Sequence, residues 1–314
     1  MTTPQLVLGT MFFGTRVDER TSFDLLGRFV ESGGRWLDTA DCYSFWESPT
    51  GFGGQSEQVI GRWLARRPGM RERIRIATKV GAEPLIAGGW PKSREGLSAA
   101  TVAAATDGSL GRLGIDAIDL LWIHMEDRTA PIEETTDALG ALVQCGKVAR
   151  IGASNHPTWL VERSRAHSRE QGLAAIDALQ LRGSYLHPRP DTVIGGDEHP
   201  NGQLTDDQRD FAAANGLEIW AYTALMGGSY DRDDRALDPA YDHPGTARRL
   251  DALTSVAAEL EVTRGQVVLA WLVGGAPSVT PILGGSTPEQ LDSALAGVRL
   301  VLGPEHRTML DSVG

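Results

Sequence analysis

The chain has 314 residues, 41% of them hydrophobic and 23% charged, so it has apolar material for a packed core and does not read as a disordered tract. A formal charge of −11 argues against a polyanionic partner, because nucleic-acid binding depends on basic patches that neutralise phosphate. Cys42 and Cys145 are the only cysteines, too few for a disulfide framework or a thiolate metal centre.

The first residues, MTTPQLVLG, have no basic segment followed by a long apolar run, and no window reaches the roughly 18 apolar residues of a membrane span. A cytoplasmic protein is expected, with neither membrane nor nucleic acid as partner. Eight β-rich runs then follow in order: 5–11, 35–40, 74–80, 118–125, 149–155, 177–184, 218–225 and 279–285. Stretches with helical spacing separate them, such as Phe23, Leu26 and Val30, or Val102, Thr106, Leu110 and Leu113. Strand–helix alternation predicts a parallel sheet. Eight units without a dividing linker predict one (β/α)8 barrel domain over 1–314 rather than an open doubly wound sheet. The first run also lacks the Gly-x-Gly-x-x-Gly of a dinucleotide-binding turn.

The longer connections 44–55, 81–97, 126–131, 185–204 and 226–244 mostly follow strands, which places them at the C-terminal mouth where barrel enzymes carry their sites. Ionisable groups collect at the same rim. Asp38 ends the second run with Tyr43 just beyond it, Lys79 ends the third and His124 the fourth. Singly, each has a bland reading: a structural ion pair, a packed ring, a satisfied core histidine. Four together at the ends of adjacent strands point to chemistry, because ionisable groups are costly to bury without a purpose.

With these residues in view, the chain resembles the aldo-keto reductases along nearly its whole length. The segments WLDTADCYS, GGQSEQVIGRWL, IRIATKVG, GSLGRLGIDAIDLLWIH and GKVARIGASNH stand in that family's order. The resemblance implies hydride transfer between a nicotinamide cofactor and a carbonyl or alcohol, with Asp38, Tyr43, Lys79 and His124 as the catalytic tetrad. In chemical terms, a free phenol titrates near pH ~10 and donates poorly at neutrality. Lys79 is expected to lower the phenol's pKa, Asp38 to hold Lys79, and His124 to orient the carbonyl oxygen. The reaction needs no metal, and the scattered histidines suggest none.

For the cofactor, the resemblance implies Gly9, Thr10 and Met11 beneath the nicotinamide ribose. It places Ser154, Asn155 and Gln180 at the carboxamide, Tyr222 against the ring, and Asp38 among the cofactor-binding residues. Gly284, Ser286 and Gln290 would lie at the adenosine end, where Thr287, Pro288 and Gln290 have the pattern of a capped helix start able to receive phosphate. NADPH is expected ahead of NADH. Residues 284–294 contain no basic side chain, however, Ala294 stands where the family often has Asn, and YTALMGG replaces a Tyr-Ser-Pro-Leu run. The choice between the two cofactors therefore stays open.

Candidate substrate contacts are Phe12, Phe13, Phe45, Trp46, Trp90, Glu126, Arg182 and Tyr185, each close after a strand run. The aromatics could clasp an apolar or sugar-like face, and Glu126 with Arg182 hints at a hydroxylated small-molecule carbonyl. The glycines and aromatics of 44–55 read as a lid or as an idle surface loop. Two other classes compete with a reductase. One is a cofactor-sensing regulatory subunit with little turnover; the other is an aldolase-like barrel in which Lys79 forms a Schiff base.

Overall fold

A computed structural model of the chain describes residues 5–190, 192, 194 and 202–313. The strands are β1 (Val7–Gly9), β2 (Trp36–Asp38), β3 (Arg75–Val80), β4 (Leu120–Ile123), β5 (Ile151–Ser154), β6 (Ala178–Arg182), β7 (Glu218–Tyr222) and β8 (Thr280–Leu283). They pair in sequence order, all parallel, and the sheet closes on itself where Val7 meets Ile282 and Leu8 meets Leu283. This is the (β/α)8 barrel that the alternation predicts.

Six helices, α1 (Glu19–Glu31), α2 (Gln55–Ala65), α3 (Ala99–Leu113), α4 (Ile132–Gln144), α5 (Thr158–Gln171) and α6 (Asp206–Asn215), follow the first six strands in turn. Strict alternation then fails. Both α7 (Pro244–Glu259) and α8 (Arg264–Val273) lie between β7 and β8, and α9 (Pro288–Arg299) and α10 (Pro304–Asp311) follow β8. Among the described residues, no helix is long and apolar enough to cross a membrane.

Local chemistry sets the helix boundaries. The Asp18 carboxylate accepts from Thr21 N to start α1, whose buried face (Ser22, Leu25, Leu26, Phe29, Val30) keeps the three-to-four spacing of a helix stripe. Reciprocal capping boxes open α6 (Thr205 with Gln208) and α8 (Thr263 with Gln266).

The barrel floor is aromatic. Trp220 meets Trp36 and Trp122 edge-on, each at 5.3 Å, and Val7, Ala77, Leu120 and Ala178 fill the space around them. Trp122 fits because its neighbour is Gly152, where a Cβ would fall 2.2 Å from the indole. A packed floor leaves the other end of the barrel to hold polar side chains, and the ladder stops early there. Thr10 N still donates to Asp38 O at 3.0 Å before the β1 loop departs, and His124 lies one residue beyond β4, its N–H on Val80 O at 2.9 Å. The ordered strands are thus shorter than the β-rich runs, whose last residues are the mouth itself.

Candidate active site

Lys79 is the hub. It is 1% exposed, and its ammonium donates to Asp38 Oδ2 at 2.6 Å, to Thr39 O at 2.8 Å and to the Tyr43 hydroxyl oxygen at 2.7 Å. Those are all three of its N–H groups, so the cation is fixed and its charge is met. A nucleophilic amine would need a free lone pair, and this arrangement speaks against the Schiff-base alternative.

Asp38 is held from its other side by Gln180, whose Nε2 donates to Oδ1 at 2.9 Å. Burial pushes the Asp38 carboxyl up, while Lys79 and then Gln180 pull it down. Tyr43 departs from the sequence expectation. Burial, reinforced by the negative charge of Asp38, holds its phenol well above the ordinary value. Lys79, for all its closeness, does not bring it down. Tyr43 is consequently a neutral phenol that accepts from Lys79 and keeps its own O–H to donate. His124 stands beside it, ring centroids 5.9 Å apart and planes nearly perpendicular, with Nδ1 3.5 Å from Cys42 Sγ. All four predicted tetrad residues meet at one end of the barrel.

The next group also converges. Tyr222 OH donates to Asn155 Oδ1 at 2.8 Å, and Asn155 Nδ2 reaches His124 O at 2.9 Å and Ser154 Oγ at 3.0 Å. Asn155 adopts this pose with φ of 59°, the left-handed region that Asn tolerates better than most residues. Arg182 lies over the Tyr222 ring at 5.5 Å. Of the β1-end residues, Met11 is exposed, while Gly9 could not carry a side chain because a Cβ would fall 2.8 Å from Ile282. Thr10 differs from its predicted part as a cofactor contact. It is fully buried, with its hydroxyl on Asp38 O at 3.0 Å and against Ser56 Oγ at 2.8 Å, so its side chain braces the site from behind.

At the start of α9, Gly284 and Ser286 are exposed. Thr287 caps the helix, but the Gln290 amide turns back to accept from Ser286 N at 2.8 Å, rather than from Thr287 N as a capping box requires. Ala294 is buried on the inner face of α9.

Among the substrate candidates, Phe12, Phe45, Trp46 and Trp90 form a chain of rings. Their centroids lie 6.4 Å (Phe12–Trp46), 5.0 Å (Phe45–Trp46) and 5.3 Å (Phe45–Trp90) apart. Two predictions fail. Phe13 is packed in the core, and Tyr185 is fully buried with its hydroxyl on Leu310 O at 2.9 Å and its ring against Trp271. Both follow strands closely, but their side chains turn toward the helices, an orientation that proximity in sequence does not reveal. Glu126 forms an ion pair with Arg128. The 44–55 segment is tied down: Ser44 donates to Met11 O, Glu47 pairs with Arg16, and Gly53 N donates to Glu83 Oε1 at 2.8 Å. Part of 185–204 lies outside the described residues.

Sequence reasoning missed the acids behind Tyr43. Glu57 is buried between Thr78 and Arg112, and Glu95 accepts from Gly81 N. Burial raises Glu83 to about 7. Burial, with Glu95 foremost among the neighbouring acids, holds Asp41 well above the carboxylate range. The spacing of Gln55, Ser56 and Glu57 after the glycines was visible, but not that Ser56 and Glu57 point inward.

The Aldo/keto reductase family profile matches residues 5–314. The chain belongs to the aldo-keto reductase family. Among its relatives, the oxidoreductase YrpG of Bacillus subtilis, itself uncharacterized, is 28% identical over 98% of this chain and 91% of that protein. Norsolorinic acid reductase A of Aspergillus parasiticus is 30% identical over 98% of this chain and 76% of its own length. The aryl-alcohol dehydrogenase GME11368 of Pestalotiopsis microspora is 28% identical over 90% and 70%. Reductases and dehydrogenases of this family have the oxidoreductase character that the tetrad implied.

Proposed function

We propose that this aldo-keto reductase reduces an aromatic aldehyde or ketone to its alcohol with a nicotinamide dinucleotide, Tyr43 donating the proton. The observation that carries the reading is the triple donation of Lys79. A fixed ammonium on the phenol oxygen stabilises the phenolate as the proton leaves, and Asp38 keeps that ammonium in place.

The donor set suits the cofactor. Ser154, Asn155 and Gln180 carry hydroxyl and amide groups at one level of β5 and β6, the chemistry that a carboxamide pairs with, and Tyr222 offers a partly exposed ring. When bound, the cofactor supplies the hydride. Asp38, Lys79 and Tyr43 deliver the proton to the carbonyl oxygen, and His124 donates a hydrogen bond to that oxygen as its charge grows. NADPH stands ahead of NADH, with the exposed Ser286 hydroxyl before α9 meeting the 2′-phosphate in place of a basic side chain.

The substrate class follows from which groups remain available. Glu126 pairs with Arg128 and Arg182 lies on Tyr222, so the polar hint of a sugar-like substrate weakens. The ring chain from Phe12 to Trp90 is left to receive a flat apolar body, in line with relatives named for norsolorinic acid and aryl alcohols. Turnover of matched aromatic and polyhydroxylated aldehydes with each cofactor tests this. A preference for the polyhydroxylated set would reject the aromatic assignment.

A further inference from the structure

We propose that Asp41, Cys42 and His124 form a site for a soft divalent cation of the zinc and cadmium class, beside the tetrad. One ligand atom from each residue lies within 4.8 Å of the others. Cys42 Sγ and His124 Nδ1 are 3.5 Å apart. A tetrahedral ion with Zn–S of about 2.3 Å and Zn–N of about 2.0–2.1 Å separates two such ligands by about 3.5 Å. The barrel has therefore set one edge of the coordination tetrahedron, and an Asp41 oxygen stands within 4.8 Å of both ligand atoms.

Asp41 supplies the independent sign. Its side chain is buried, no N–H group donates to either carboxylate oxygen, and the polar group that meets it is the Glu95 carboxyl. A proton held between two such acids is one that a metal ion can replace. The surrounding side chains agree, being acids that can give up a proton to a cation. Asp38, Asp41, Glu57, Glu83 and Glu95 outnumber Lys79 and Arg112, and those two cations are engaged by Asp38 and Glu57 respectively. His124 is partly exposed, which leaves the fourth position to water from the mouth. Binding transfers the thiol proton of Cys42 and any carboxyl proton of Asp41 to solvent, with no change of oxidation state.

An ion held there fixes the His124 ring against Cys42, so loading should block carbonyl reduction. That consequence rests on the reductase reading, whereas binding itself does not.

The test is a Cd2+ titration of the Cys145→Ser protein, which removes the one exposed thiol, followed by the ultraviolet sulfur-to-cadmium charge-transfer band. We expect saturation at one ion per chain, and loss of the band when Cys42→Ser is added. Asp41→Asn should weaken binding at least about tenfold, the loss that even the outer partners of metal ligands cause. Thermal melts establish that each variant is folded. A band that survives Cys42→Ser, the absence of any saturable band, or unchanged affinity in Asp41→Asn would overturn the site. If binding behaves as stated while no carbonyl is turned over, the reductase reading fails and the metal site stands.

Discussion

Lys79 Nζ lies 2.7 Å from the Tyr43 hydroxyl oxygen, and the same ammonium lies 2.6 Å from Asp38, so the phenol ends a hydrogen-bonded chain that begins at the Gln180 amide. The phenol stays protonated through burial and still has a cation waiting for the charge it will develop.

The pair is structural as well as chemical. Lys79→Met leaves Asp38 as an uncompensated buried charge, and we predict a loss of about 3–5 kcal/mol in urea unfolding. Adding Asp38→Asn should recover part of that loss while activity stays absent. A single variant as stable as the parent would show that the pair does not hold the mouth together.

Glu83 makes stability depend on pH in a definite sense. Its folded value of about 7 lies above its ordinary 4.5, so the folded state prefers the protonated acid. The stabilisation is full below pH 4.5 and is lost as pH rises through about 7. Glu83→Gln keeps an acceptor for Gly53 N and removes the charge. We expect its Tm to exceed the parent's by about 2 °C at pH 8, after discounting for partial exposure, and by less at pH 5. Parallel Tm curves for the two proteins would refute the assignment.

Trp90 tests the ring chain. Trp90→Ala should raise KM for an aromatic aldehyde about tenfold, the equivalent of roughly one aromatic contact, with little change in kcat. Equal effects on aromatic and polyhydroxylated aldehydes would remove Trp90 from substrate recognition.

Ser286 tests the adenosine end. Ser286→Arg adds a charge-assisted partner where residues 284–294 have no basic side chain, and should tighten NADPH about tenfold without affecting NADH. If both cofactors respond alike, the 2′-phosphate lies elsewhere.

The barrel was legible because its signals are local: eight β-rich runs, helical stripes such as that of α1, and caps such as Asp18 and Thr205. The tetrad was legible for a related reason, since parallel strands deliver Asp38, Lys79 and His124 to one rim, each two residues beyond the register partner of the one before. What escaped depends on side-chain direction. Phe13, Tyr185 and Thr10 sit at strand ends like their neighbours, yet packing turns them away from the mouth. The phenol's raised pKa also lay beyond the sequence, because it follows from burial and from the negative charge of Asp38. Asp41 and Cys42 stand in plain view beside Tyr43. Their closeness to His124 exists only once β2 and β4 are placed in the barrel.

Whether Tyr43 is the proton donor is decided by comparing the parent with Tyr43→Phe in NADPH binding and in single-turnover reduction of an aromatic aldehyde. We expect cofactor affinity within about twofold of the parent and a rate lower by roughly 10²–10⁴-fold, the usual contribution of a positioned general acid. A variant that binds the cofactor and reduces the aldehyde at the parent rate would contradict that assignment.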